Sequence, residues 1–182
     1  MTVVFQYDIH MNLDYLNSPE RLSGKARKIG LAKLKDYELL FDLYSKNNRS
    51  AVANIMPQNR SEVIGIVYEI PDYLFWGKKE GKRSKMDWIA DDNLKGTGNY
   101  QKKSIEVVNQ EGKSIEVWCY LGTNKGRKRF QKMGSKDKVI SKRYITYIIN
   151  GALQNNLPKS YINKIKNIAI EHNKKYGVIL DL

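Results

Sequence analysis

Lys103-Ser104-Ile105-Glu106-Val107-Val108, Asn109-Gln110-Glu111-Gly112-Lys113 and Ser114-Ile115-Glu116-Val117-Trp118-Cys119-Tyr120-Leu121 are consecutive in the chain, and their reading decides the fold. Ile105, Val107, Ile115 and Val117 alternate with charged neighbours, a period of two that puts one face of a strand indoors. The connection between the two runs contains Gly112 and has hairpin length, so the stretch predicts an antiparallel hairpin. Upstream, short runs rich in Val, Ile, Tyr and Phe predict further strands over Thr2 to Tyr7, Tyr37 to Tyr44, Ala51 to Met56 and Glu62 to Ile70. Downstream the period changes. Tyr144, Ile145, Ile148 and Ala152 recur at helical spacing, as do Tyr161, Ile162, Ile165, Ile168 and Ala169. Ser141 suits the N-cap of the first helix and Pro158 the first turn of the second. Strands followed by helices predict an α+β fold with a mixed, curled or barrel-like β-sheet and flanking helices.

The chain has 182 residues, of which 41% are hydrophobic, enough for one core, and residues 1–182 are read as a single domain. Its formal charge of +13 gives it a field that attracts anions: nucleotides, phosphorylated metabolites, nucleic acid or acidic surfaces. Cys119 is alone, so it forms no internal disulfide, and its apolar strand predicts a buried structural thiol rather than a nucleophile. No apolar run reaches the ~20 residues of a membrane span, and the N-terminus lacks the charged lead and apolar core of a signal peptide. These features predict a cytoplasmic protein without a membrane partner.

Two segments concentrate positive charge: Gly77 to Lys85, and Lys125 to Lys138 with only Phe130 interleaved. Each reads as a loop, either a solvated one or part of an electrostatic collar around an anion site. His10 ends the first strand and suits a ligand contact or a proton carrier; with no Cys or second His near it, no metal site is expected. No phosphate-binding glycine loop, zinc spacing or Ser-His-Asp arrangement is present, and no cofactor is expected.

Several motifs together resemble the gamma-glutamylcyclotransferase superfamily. Tyr7-Asp8-Ile9-His10-Met11 stands where that family usually carries Tyr-Gly-Ser-Asn followed by Met or Leu. Ala32 to Phe41 resembles the segment carrying its second strand. Ala51-Val52-Ala53-Asn54-Ile55-Met56-Pro57 resembles its Ala-x-Ile-x-Pro strand, and Val63-Ile64-Gly65-Ile66-Val67-Tyr68 its Val-x-Gly-x-Val-Tyr strand. Gly98-Asn99-Tyr100 is similar to its Gly-x-Tyr element, and Gly151-Ala152, Leu157-Pro158 and Tyr161 to its C-terminal pattern.

The resemblance implies a reaction in which a substrate's α-amine attacks its own γ-carbonyl, closing 5-oxoproline and expelling an amine. A glutamate delivered by an Asp-x-x-Glu-Gly segment moves the protons, while the Tyr-Gly-Ser-Asn loop cradles the substrate's carboxylate with backbone amides. Counting back from Gly98-Asn99-Tyr100 puts the glutamate's place on Asn93, which cannot take a proton near neutral pH. Asp92 is the candidate catalytic group after a one-residue slip; Asp91 and Asp92 also read as a solvated helix end. Asp8 in the glycine's place gives up easy access to unusual backbone angles and brings a negative charge to a loop meant for an anion.

These changes predict a catalytically degenerate protein of this fold that binds a small anionic ligand, sensing or sequestering it, with a nucleotide signal as in viral counter-defence one example. Tyr7, Asp8, Ile9, His10, Met11, Asn93, Lys95 and Tyr100 are the candidate ligand-binding residues. Lys102 and Lys103 add charge, and Trp76 and Trp88 could stack on a base or serve the core. The alternatives are an active gamma-glutamyl or gamma-glutamylamine cyclotransferase using Asp92 or His10 as proton carrier, and a nucleic-acid binder working through Lys125 to Lys138.

Overall fold

A computed structural model describes residues 1–77, 82–91 and 98–182. Five strands, β1 (Thr2–Gln6), β2 (Arg27–Ser45), β3 (Ser50–Ile70), β4 (Tyr100–Asn109) and β5 (Ser114–Gly122), close into a barrel in the order β1-β3-β2-β4-β5. Every pairing is antiparallel except the seam, where β1 meets β5 in parallel at Val4 and Trp118. Closure removes the sheet edges that an open five-stranded sheet would expose. Short helices α1 (Leu13–Leu16), α2 (Asp72–Phe75) and α3 (Lys85–Ile89) fill connections, followed by α4 (Asn124–Gln131), α5 (Lys142–Gln154) and α6 (Lys159–Lys174). The sheet is thus mixed and barrel-like with flanking helices, as the period change predicts.

The β4–β5 hairpin is antiparallel as expected, with Ile105 opposite Val117 and Val107 opposite Ile115. Val107 and Val117 are buried inside the barrel. The two runs expected as separate strands, Ala51 to Met56 and Glu62 to Ile70, are one strand, β3. Pro57-Gln58-Asn59-Arg60 reads as a break, yet the strand passes through it as a bulge: Lys35 pairs with Glu62 while Tyr37 pairs with Pro57. Asp36 and Arg60 adopt left-handed backbone there, and Asp36 Oδ1 accepts a hydrogen bond from the Arg60 amide at 2.9 Å. The strand expected from Tyr37 likewise begins earlier, at Arg27. Exposed lysines at 33 and 35 hide the alternation of buried Ala32 and Leu34.

The segment Lys125 to Lys138, expected as a loop, is mostly helical. Thr123 caps α4 by accepting from the Gly126 amide, and Phe130 turns into the core. A Cβ at Gly126 would lie 2.9 Å from Leu43 Cδ2 and 3.1 Å from Asn99 backbone, so a larger residue there would crowd both. Arg127 Nε donates to Asp42 Oδ2 at 2.6 Å, and Arg129 reaches Asn99 Oδ1 at 3.3 Å. Two cations of this basic run therefore hold the fold together. Ser141 caps α5 as expected, and Pro158 occupies the cap position immediately before α6. Among the described residues, no helix is long and apolar enough to cross a membrane.

Candidate functional site

The chain leaves β1 at Gln6 and turns at once into a short 3-10 segment, Ile9–Met11, at the mouth of the barrel. Asp8 caps that turn. Its Oδ1 accepts from the His10 amide at 2.9 Å and lies 2.9 Å from His10 Nδ1. Asp8 has φ −119°, ordinary extended backbone, so the loop asks for no angle that favours glycine; the expected backbone penalty is not incurred.

The next residues are clamped from two sides. The Met11 carbonyl accepts from the Tyr68 hydroxyl and from Asn155 Nδ2, both at 2.8 Å. Gly151 of α5 passes so close that a Cβ there would lie 2.6 Å from the Asn12 nitrogen. Asn12 in turn caps α1 by accepting from the Tyr15 amide. The loop is therefore held in one conformation by a strand, a helix and its own cap.

Asp8 is largely buried, its side chain 15% exposed. Burial alone would push its carboxyl up, but the His10 ring and amide outweigh burial and hold it below the ordinary carboxylate range. With Asp8 ionised and able only to accept, Nδ1 of His10 carries the hydrogen; in the neutral ring the lone pair falls on Nε2. Burial first, with the Asp8 charge adding to it, raises the phenols of Tyr7, Tyr100 and Tyr144 and the Cys119 thiol. These groups stay protonated, and Cys119 is the buried, inert thiol its strand predicts. Tyr7 donates to the Tyr120 carbonyl at 2.8 Å and Tyr100 to the Ala53 carbonyl, while the Tyr144 hydroxyl accepts from the Ala53 amide at 3.0 Å.

The loop residues thus divide. Tyr7, Ile9 and Met11 pack into the core, Asp8 and His10 form a largely buried pair, and Tyr100 is buried with its hydroxyl engaged. Asp92, Asn93 and Lys95 lie outside the described residues, as does part of the basic segment Gly77 to Lys85.

The last described turn before them is informative. Asp87 is fully buried and completes a capping box with Ser84, accepts from the Tyr120 hydroxyl at 2.7 Å, and pairs with Lys102 Nζ at 3.0 Å. Burial works against its charge, but those hydrogen bonds and Lys102 bring its carboxyl below the ordinary range. Lys102 is thereby tied to Asp87 and to the Phe75 carbonyl. Ala90 ends α3, and Asp91 follows in left-handed backbone at φ +54°. Burial, and after it the charges of Asp8, Asp42 and Asp91, raise the Tyr100 phenol.

Beside the loop opens a cavity of about 520 Å³, with Asn12, Tyr15, Arg21, Arg143 and Tyr147 among its walls. The His10 ring lies 5.8 Å from the Tyr15 ring, and the Arg21 guanidinium covers Tyr15 at 3.5 Å.

Gamma-glutamylcyclotransferase of Mus musculus is 30% identical over 155 residues, which covers 83% of this chain and 70% of that protein. The chain belongs to the gamma-glutamylcyclotransferase family. Residues 83–165 match the model of the AIG2-like family. Among solved structures, a gamma-glutamyl cyclotransferase superposes with a TM-score of 0.70 at 21% identity, covering 97% of this chain and 98% of that one. An uncharacterized Homo sapiens protein superposes with a TM-score of 0.66 at 22% identity over the same shares. A yeast gamma-glutamyl cyclotransferase specific to glutathione does so with 0.54 at 13%, covering 94% of this chain and 99% of that one. At these identities the superpositions establish a shared fold.

Within this gamma-glutamylcyclotransferase fold, several residues that support the loop or the barrel escape a reading of the sequence. Asn155 and Tyr68 are separated from Met11 by 144 and 57 residues, so nothing local announces that both meet its carbonyl. Asn54 is fully buried, with Oδ1 accepting from Gly122 and Nδ2 donating to Asp42. Tyr15 and Arg21 carry no motif. Arg143 and Tyr147 could have been found, since they stand one helical turn apart on α5 beside the buried Tyr144.

Proposed function

We propose that this chain is a catalytically degenerate gamma-glutamylcyclotransferase-fold protein that binds a small anionic ligand instead of cyclising a γ-glutamyl compound. The observation that carries this reading is the Asp8 carboxylate on the His10 amide. A family loop of this kind is expected to offer its amides to the substrate's carboxylate; here the loop supplies a carboxylate of its own, 2.9 Å from that amide. A substrate carboxylate arriving beside it meets like charge in a partly buried site, where repulsion is weakly screened.

The end of α3 supports the same reading. Asp87 to Asp91 fits the spacing of Asp-x-x-Glu-Gly, with the left-handed backbone of Asp91 standing where a glycine is favoured. That register gives Ala90 the glutamate's place, and alanine carries no proton. It also avoids counting across residues 92–97, on which the assignment of Asn93 rests. The chain's +13 charge supports a ligand of negative sign.

A second reading has one observation in its favour. Asp8 orients His10 with Nδ1 protonated, and among the described residues no group hydrogen-bonds to Nε2. This pair could serve as proton carrier in an active cyclotransferase, as could Asp92. Incubating the protein with γ-glutamyl compounds and nucleotides, followed by mass spectrometry of free and retained pools, separates the two. An unchanged anion retained by the protein supports the binder; 5-oxoproline in the free pool that disappears in His10→Ala supports the enzyme.

A further inference from the structure

A second cavity, of about 550 Å³, shares Arg21 with the first. Its volume is that of an ordinary small-molecule site. Arg21, Lys25, Lys82, Arg83 and Lys85 line it, and no carboxylate does among the described residues. The contrast with the mouth is chemical. There Asp14 and Glu20 stand beside Arg21 and Arg143, so the charges offset.

Arg21 is paired with Glu20, and the cations that remain uncommitted are the three lysines. Lys25, Lys82 and Lys85 make no ion pair with a described residue, and the last two flank the buried Ser84. Arg83 gives one N–H to the Asp87 carbonyl at 2.9 Å, while its Nε is buried without an acceptor. Its guanidinium lies 3.9 Å over the Trp88 ring, which fixes its plane. Tyr73, 44% exposed, lines the same cavity beside Leu74 and Leu22, giving an aromatic face with apolar neighbours.

Clustered cations answer phosphate oxygens, and a half-exposed phenol ring with leucines beside it answers a flat heterocycle. We infer that this cavity is a binding site for a nucleoside phosphate, with Lys25, Lys82 and Lys85 on the phosphates and Tyr73 on the base. The inference rests on reading the chain as a binder of small anions, and it names the class of ligand and the place. Inorganic phosphate shares half of that chemistry, so the test must tell the two apart.

The experiment is calorimetric titration of the full chain with ADP and, separately, with inorganic phosphate and adenosine. ADP is expected to bind at least about tenfold more tightly than phosphate, with adenosine weaker than ADP. In Lys82→Glu/Lys85→Glu, ADP affinity is expected to fall about tenfold or more, and in Tyr73→Ala the preference of ADP over phosphate is expected to shrink. Thermal unfolding of each variant checks the fold, and Lys25→Glu substitutes if the double variant does not fold. Equal affinity for ADP and phosphate, ADP binding untouched by these variants, or no binding at millimolar ADP would each overturn the inference. ADP binding lost instead in Arg143→Glu would move the site to the mouth and overturn it as well. None of these outcomes depends on 5-oxoproline release, so this site can fail while the loss of catalysis stands, and the reverse.

Discussion

A single carboxylate oxygen, Oδ1 of Asp8, lies 2.9 Å from both the backbone nitrogen and Nδ1 of His10. One residue thereby occupies the His10 amide, fixes the imidazole's tautomer and caps the turn that β1 runs into. Asp8→Ala should remove these functions together. A charge-assisted hydrogen bond in a partly buried place is worth about 1.5–3 kcal/mol, and chemical denaturation should report a loss of that size near neutral pH.

Asp87 should shape the acid limb of stability. Its folded-state pKa is depressed, so its contribution is fully present above the ordinary carboxylate value of about 3.9 and is lost as pH falls through the lower folded value. Asp8 acts in the same direction. Asp87→Asn should therefore destabilise the protein by about 1–3 kcal/mol near pH 7, with the difference from wild type narrowing below pH ~4. Denaturant midpoints across that range check it.

Gly151→Ala tests how tightly α5 is pressed on the loop. The new Cβ would fall 2.6 Å from the Asn12 nitrogen and 2.9 Å from the Met11 carbonyl carbon, both backbone atoms that cannot swing aside. A loss of about 1–3 kcal/mol in unfolding free energy is expected, against the gain a solvent-facing helical glycine would show.

Asp91→Gly should act in the opposite sense. Relief of left-handed strain at φ +54° is worth up to about 1 kcal/mol, less because aspartate tolerates that region better than most residues. A raised denaturant midpoint is the expected result.

Restoring the family's chemical groups should restore some of its chemistry. Asp8→Gly/Ala90→Glu frees the loop amide and returns a carboxyl to the end of α3. A positioned proton carrier contributes about 10²–10⁴ in rate, so the double variant should release 5-oxoproline about 10²-fold faster than Asp8→Gly alone. Equal rates would place the glutamate's position elsewhere than Ala90.

The fold was legible where burial follows a simple period. The β4–β5 hairpin and the faces of α5 and α6 could be read directly, because Val107 and Val117, or Ile145 and Ile148, face the core at regular intervals. Reading failed where polar residues do structural work. Arg60 continues a strand because Asp36 satisfies its amide, and the lysines of β2 mask the alternation of Ala32 and Leu34. Thr123 and Gly126 turn a basic run into a helix.

Of the candidate site, the sequence offers the Tyr7 to Met11 motif, which falls on the turn that follows β1. The support of that turn was not legible. The bonds from Tyr68 and Asn155 to Met11, and the contact of Gly151 with Asn12, join segments far apart in the chain. The backbone angle of Asp91 was likewise invisible, and with it the register that brings Ala90 into consideration.

The most direct test of lost cyclotransferase chemistry is single-turnover measurement of 5-oxoproline, with wild-type protein in excess over a panel of γ-glutamyl amino acids and γ-glutamylamines. Release no faster than in protein-free controls is the predicted result. Stoichiometric 5-oxoproline from the wild type would contradict it and make the chain a working member of its family.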